Sequence, residues 1–229
     1  GDEDATASGR DRAFVCITGQ LPRLELSSKI DHLLRPWAET HGVDVDVALV
    51  LSDTDNRSVN RKGDRTQRYF EFDEAAAELD ALPGVRVVNH GLEDASAEPV
   101  VAPKYLEQRG KDSTMTPEAT LERVRNHVRQ FEGLARCHYH MVRTGERYDI
   151  VHRIREDSGY YRPVNYTKMR RLVDGGEPIV INHHHHQDAE TIKRNYDRRN
   201  MTIITSGGCD THGGINDRSA FVSPLAAYD

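Results

Sequence analysis

Arginines and carboxylates crowd one stretch of the chain, Tyr148–Pro163, with the sequence YDIVHRIREDSGYYRP. Ile150, Val151 and Ile154 give it β-strand character, and Arg153, Arg155, Glu156 and Asp157 gather at the strand's carboxyl end. Ligands of open α/β sheets bind outside the carboxyl ends of the strands. A carboxylate there can hold a divalent cation, and neighbouring guanidiniums can face phosphate oxygens. The same residues would also serve as a surface ion-pair cluster where a strand leaves its sheet.

Four other groupings carry possible chemistry. Thr18-Gly19-Gln20-Leu21-Pro22-Arg23 follows an apolar run, where a glycine lets backbone amides approach a nucleotide and Arg23 can pair with phosphate; a plain tight turn is the alternative. It lacks the G-x-G-x-x-G spacing of dinucleotide sites, and no G-x-x-x-x-G-K-[ST] occurs. Asp53-Thr54-Asp55 is a literal D-x-D after the second strand. An Asx-type turn over Asp53–Asn56 is the favoured reading, with Asp53 placed to meet a base or ribose. His183–His186 cannot turn four side chains toward one metal, because neighbours on an extended chain point to opposite sides. Two of them at i and i+2, with Asp188, could; a loop that is solvated or touches pyrophosphate is the preferred reading. Gly213-Gly214-Ile215-Asn216-Asp217-Arg218 joins a pliable turn to an acid that can accept a proton or bind a sugar hydroxyl, or simply caps a turn entering a helix.

The elements that must position these groups are legible from periodicity. Ala13–Thr18 reads as a buried first strand and Val43–Leu51 as a central one. Between them Leu26, Ile30, Leu33, Leu34 and Trp37 mark a helix over Leu26–His41, with Pro36 expected to kink or shorten it. Phe72–Leu82 reads as a short helix stopped by Pro83-Gly84, and Val85–Val88 as a third strand. Gly91–Thr116 lacks periodicity and is expected to be one long connection. Thr116 as N-cap and Pro117 at the first helical position open the clearest helix, which runs to about Gly145 and carries Leu121, Val124, Val128, Phe131, Leu134, Cys137 or His138, and Met141 at steps of three or four. Further strands at Pro178–Asn182 and Met201–Thr205 flank a polar helix, Asp188–Arg199. Strands alternating with helices predict an α/β fold with a mostly parallel, doubly wound sheet. The expected organisation is a flexible lead-in over residues 1–11 and one domain over 12–229.

Composition narrows the classes. The 229 residues carry a net charge of −6, which argues against a general nucleic-acid binder. No apolar run approaches the roughly 18 residues of a membrane span. A soluble protein is expected, cytoplasmic or a lumenal ectodomain with an anchor upstream. Cys16, Cys137 and Cys209 are an odd number without C-x-x-C spacing, so they read as buried small residues and not as a disulfide framework or zinc site.

Three stretches, VCITGQLPR, FEGLARCHYHMVRTGERYDIVHRIRED and HGGINDRSAF, resemble in their order a GT-A-fold (Rossmann-like) glycosyltransferase related to polysaccharide- and lipopolysaccharide-synthesis enzymes. The resemblance implies transfer of a sugar from a nucleoside-diphosphate donor to a hydroxyl of a glycan-type acceptor, assisted by Mn²⁺ or Mg²⁺. It divides the domain over 12–229 into a nucleotide-binding part over 12–157 and an acceptor-side part over 158–229. It makes Asp157 the metal-linked carboxylate, with Glu156 at a position commonly proline in the family pattern. Arg153 and Arg155 would hold the strand end or the diphosphate. Thr18, Gly19, Gln20 and Arg23 would line the nucleotide, with Asp53 nearby. Asp217 would be the acceptor-side carboxylate and, in an inverting reaction, the general base. Lys168 and Arg170 would add to a leaving-group clamp with Arg155, and Tyr160 and Tyr161 would offer stacking faces. The chain departs from the pattern in having no D-x-D at Asp157. A non-catalytic nucleotide- or glycan-binding module, or a metalloprotein built on His183–His186, is the alternative.

Overall fold

A six-stranded sheet in the order β3-β2-β1-β4-β6-β5 organises the described residues. The computed structural model describes residues 9–53, 70–93, 98–110, 116–160, 162–174, 203–205 and 219–222. The strands are β1 (Arg12–Gln20), β2 (Asp44–Ser52), β3 (Val85–Val87), β4 (Ile150–Arg155), β5 (Ile203–Thr205) and β6 (Ser219–Val222). The first four are mutually parallel, and β6 runs antiparallel to both β4 and β5. This is the α/β, mostly parallel, Rossmann-like sheet that the alternation of strands and helices predicts.

Both faces of the sheet are covered, which is why AFVCIT and VALVL read as unbroken apolar runs. Ala13, Val15 and Ile17 of β1 join Val45, Val47, Leu49 and Leu51 of β2 and Ile150 and Ile154 of β4 in one core, closed by Leu26, Leu33, Leu34 and Trp37. Phe14, Cys16, Ala48 and Val50 point the other way, against Cys137, Met141 and Tyr148. Asn89 stands in for a further strand residue after β3: its amide accepts from Leu49 N at 2.7 Å and donates to Leu49 O at 2.9 Å.

The first helix begins as α1 (Leu26–Lys29) and continues in wider, π-helical turns over Ile30–Leu34 and Pro36–Thr40. Pro36 therefore neither ends nor shortens it. A proline lacks an N–H and crowds the carbonyl four residues back, and widening the turn relieves both problems. The carbonyl thus released, that of His32, is taken by Val164 N at 2.7 Å, and Trp37 Nε1 donates to Val164 O at 2.9 Å. A proline in one element so creates the docking point for the chain beyond β4.

The other helices are α2 (Phe72–Asp80), α3 (Pro103–Gly110), α4 (Pro117–Arg143) and α5 (Tyr166–Asp174). Thr116 caps α4 as expected, its hydroxyl accepting from Ala119 N at 3.3 Å, and Gly145 follows the helix with φ 69°. Helix α3 interrupts what the sequence suggests is one long connection; among its described side chains only Tyr105 and Leu106 are half-buried, too few to produce a period. Helix α5 was not expected either, although Asn165 caps it through Lys168 N at 2.8 Å and Tyr166 and Val173 are buried.

The cysteine expectation is corrected by a Cys16–Cys137 disulfide that joins β1 to α4 across 121 residues. Both residues are buried small residues, as expected, but they are partners. Two residues after Cys16, at Thr18, the backbone of Gly133 packs against the threonine side chain; a Cβ on Gly133 would lie 3.8 Å from it. Two strand residues rise about 6.6 Å and four helical residues about 6 Å, so Gly133 over Thr18 brings Cys137 over Cys16. Spacing in sequence gives no hint of this, because the match arises only when α4 lies antiparallel to β1.

Candidate functional site

Helix α4 carries the chain from β3, past β2 and β1, to β4 on the far side of β1. The connections of β1 and β4 consequently leave in opposite directions, which opens a crevice at their carboxyl ends, the position where doubly wound sheets bind ligands. Register pairs Thr18 with Arg155 at that edge. The Thr18-to-Arg23 turn and the Arg155-Glu156-Asp157 segment, far apart in sequence, meet there.

Their charges interlock. Arg23, placed by the 3₁₀ turn Leu21–Arg23, pairs with Asp157 Oδ2 and lies 3.6 Å from Glu156 Oε1. Arg155 reaches Asp157 Oδ2 at 3.1 Å and Glu156 Oε2 at 3.8 Å. Glu156 is only 2% exposed. Burial first, and then the charge of Asp157, pushes its carboxyl up from the ordinary value, while Arg155 and Arg23 oppose the shift. Asp157 Oδ1 and Thr18 Oγ1 are buried and have no hydrogen-bond partner.

Glycine at position 19 has a definite cause. Its φ is 140°, and a Cβ would come within 1.9 Å of Glu156 Oε2. The sequence suggests that the glycine lets backbone amides approach a nucleotide, or makes a plain tight turn; in the structure it is the Glu156 carboxylate that occupies the approach. Glu156 is also tied by its backbone, with its N–H on Thr18 O at 2.9 Å and its carbonyl accepting from Glu25 N at 2.9 Å.

Beneath this cluster lies Lys29. Its ammonium donates to the carbonyls of Glu25 at 2.9 Å, Glu156 at 2.7 Å and Ser158 at 2.6 Å. Burial pushes it down to about 8, against the pull of Glu156, Glu25 and Asp157. Sequence reading passed over both Lys29 and the buried role of Glu156, yet each leaves a signal. Lys29 sits on the apolar stripe of Leu26, Ile30 and Leu33, and Glu156 continues the inward parity of Ile150, His152 and Ile154. Polar groups at core-facing positions mark a buried network.

Other expected residues fall elsewhere. Arg153 pairs in register with Cys16 and shares the α4 side of the sheet with Arg155. Gln20 is half-buried at the end of β1, and Asp53 is exposed just past β2. Tyr160 turns its hydroxyl inward to His152 Nε2. Lys168 is exposed on α5. Arg170 is a correction: it pairs with Asp174 and with Asp149, which precedes β4 at its amino end, so it cannot join a clamp at the carboxyl end. Asp55, Tyr161, His183–186, Asp188 and Asp217 lie outside the described residues.

Among the described residues no group of three His, Cys, Asp or Glu side chains is set to hold a metal ion. Asp157 Oδ1 nevertheless offers one hard oxygen ligand, which suits an ion that keeps waters and takes its remaining ligands from a substrate's phosphates. No described helix is long and apolar enough to cross a membrane. No protein-family model, curated protein or solved structure matches the chain.

Proposed function

We propose that the protein is a GT-A-type glycosyltransferase that moves a sugar from a nucleoside-diphosphate donor to a hydroxyl of a glycan-type acceptor. The observation that supports this reading is the interlocked set of Arg23, Arg155, Glu156 and Asp157 at the carboxyl ends of two adjacent parallel strands. Guanidiniums in such a crevice are matched to the diphosphate of a donor. To take it they must loosen from the two carboxylates, and an uncompensated buried carboxylate is unfavourable. Asp157, so released, would hold Mn²⁺ or Mg²⁺ through its carboxylate, and nucleotide and cation would each favour the other's binding. Such an ion, when bound, neutralises the diphosphate leaving group.

In the transfer, the acceptor oxygen forms a bond to the anomeric carbon as the bond from that carbon to the diphosphate breaks. If the reaction inverts, the hydroxyl proton passes to Asp217, a role that rests on the resemblance of its sequence segment. Thr18, Gln20 and Asp53 are the groups assigned to the nucleoside. Arg23 and Arg155 hold the departing diphosphate and stabilise its growing charge.

The test is a thermal-shift panel of UDP, GDP, CMP and dTDP with and without Mn²⁺. A ligand at 100 times its dissociation constant adds about 2.7 kcal/mol of stability. One nucleotide should stabilise the wild type mainly when Mn²⁺ is present, whereas Asp157→Asn, which frees the arginines without leaving a charge, should bind it with little need for the ion. Transfer should fall by about 100-fold or more in Asp157→Asn and in Asp217→Asn. Full activity in both folded variants would sink the reading, and nucleotide affinity without turnover would mark a binding module instead.

A further inference from the structure

Lys29 is fully buried, at 0% exposure, on the apolar face of the first helix among Leu26, Ile30 and Leu33. Packing alone does not account for a lysine there. Taking an ammonium out of water is strongly unfavourable, and an apolar side chain of similar volume would fill the site without that loss. The ammonium is instead saturated, its three N–H groups all spent on main-chain carbonyls.

Two of those carbonyls, of Glu156 and Ser158, flank Asp157. The third, of Glu25, anchors Lys29 to the start of its own helix, whose Glu25 N–H also holds Glu156 O. Gly159 continues the close fit: a Cβ there would lie 2.9 Å from Ser28 Oγ. The backbone on either side of Asp157 is thus clamped to the first helix, leaving its carboxylate to face Arg23 and Arg155.

We infer that Lys29 is a positioning residue: by gripping the carbonyls on both sides of Asp157, it fixes the direction in which that carboxylate is presented to the crevice. The inference that this matters for ligand binding rests on the reading of the crevice as a nucleotide site; the grip on the loop does not.

Lys29→Met keeps the volume and removes the three donors. Amide hydrogen exchange in residues 156–160 should quicken by about tenfold or more, while Val15 and Val47 in the central strands keep wild-type protection. With Mn²⁺ present, the nucleoside diphosphate that stabilises the wild type should bind about tenfold more weakly. Lys29→Gln, which retains two donors, should recover part of both effects, and it stands in for Lys29→Met if that variant does not fold. Wild-type exchange in 156–160, or a loss of protection spread equally over the core strands, would overturn the inference. If the wild type binds no nucleoside diphosphate, the proposed function fails, and the exchange comparison still decides whether Lys29 holds the loop.

Discussion

Gly19 and Tyr148 show how single side chains set limits at opposite ends of the sheet. Gly19→Ala would place a methyl group on the Glu156 carboxylate at a backbone angle that other residues rarely adopt. We expect a loss of about 2 kcal/mol or more in urea denaturation, together with displacement of Glu156. At the amino end, the Tyr148 hydroxyl donates to Asp46 Oδ2 at 2.7 Å, and Arg86 grips the same carboxylate at 2.8 and 2.7 Å. Burial, above all, pushes the Tyr148 hydroxyl up from its ordinary value of 10.0. The folded state then keeps a proton that the unfolded state gives up, so this contribution is complete below pH 10 and is lost as pH rises beyond it. Urea midpoints measured between pH 9 and 11 should fall more steeply for the wild type than for Tyr148→Phe. The residues of the crevice were only partly legible in sequence. Arg23, Arg155 and Asp157 announce themselves by type, whereas Lys29 and Glu156 show only as polar residues at core-facing positions, a signal that requires helix phase and strand parity to be set first.

Most helices were legible, and two short ones were not. Helix α4 could be read from Thr116 to its last turn because its cap and its apolar spacing agree. Among the described side chains of the short helix α3 only Tyr105 and Leu106 are half-buried, too little for a period to stand out, whereas α5 does carry a helical spacing, in Tyr166, Met169, Arg170, Leu172 and Val173, compressed into nine residues. Pro36 misleads for a different reason, since its usual effect on a helix was absorbed by wider turns and a distant N–H took up the released carbonyl. Pro36→Ala would supply an N–H able to compete for His32 O. Amide exchange at Val164 should then become several-fold faster, with the exchange of β1 unchanged. The disulfide works between elements in the same way. Reducing it, or replacing Cys16 and Cys137 by serine, should lower stability by about 2 to 4 kcal/mol, read from denaturant midpoints.

For the whole molecule, the mostly parallel sheet was legible because strands alternate with helices and their connections are short and right-handed, while its strand order comes from the structure. The position of the crevice followed from that order, since β1 and β4 are the neighbours whose connections part. The pairing of Cys16 with Cys137 did not follow, because it depends on how far α4 slides along β1, which no local pattern encodes. That bond also changes what kind of object the polypeptide is. Residues 16 to 137 form a covalently closed ring that contains β2, β3, α2 and α3, and everything before Cys16 or after Cys137 is a tail on it. A protease that cuts the ring once yields a product that migrates as one piece until a reductant is added and then separates into two. A cut beyond residue 137 gives two pieces on a denaturing gel with no reductant added. The half of the crevice built on β1 belongs to the ring and the half built on β4 to a tail, so cleavage between Cys137 and β4 would leave the two halves of one binding site joined by packing alone.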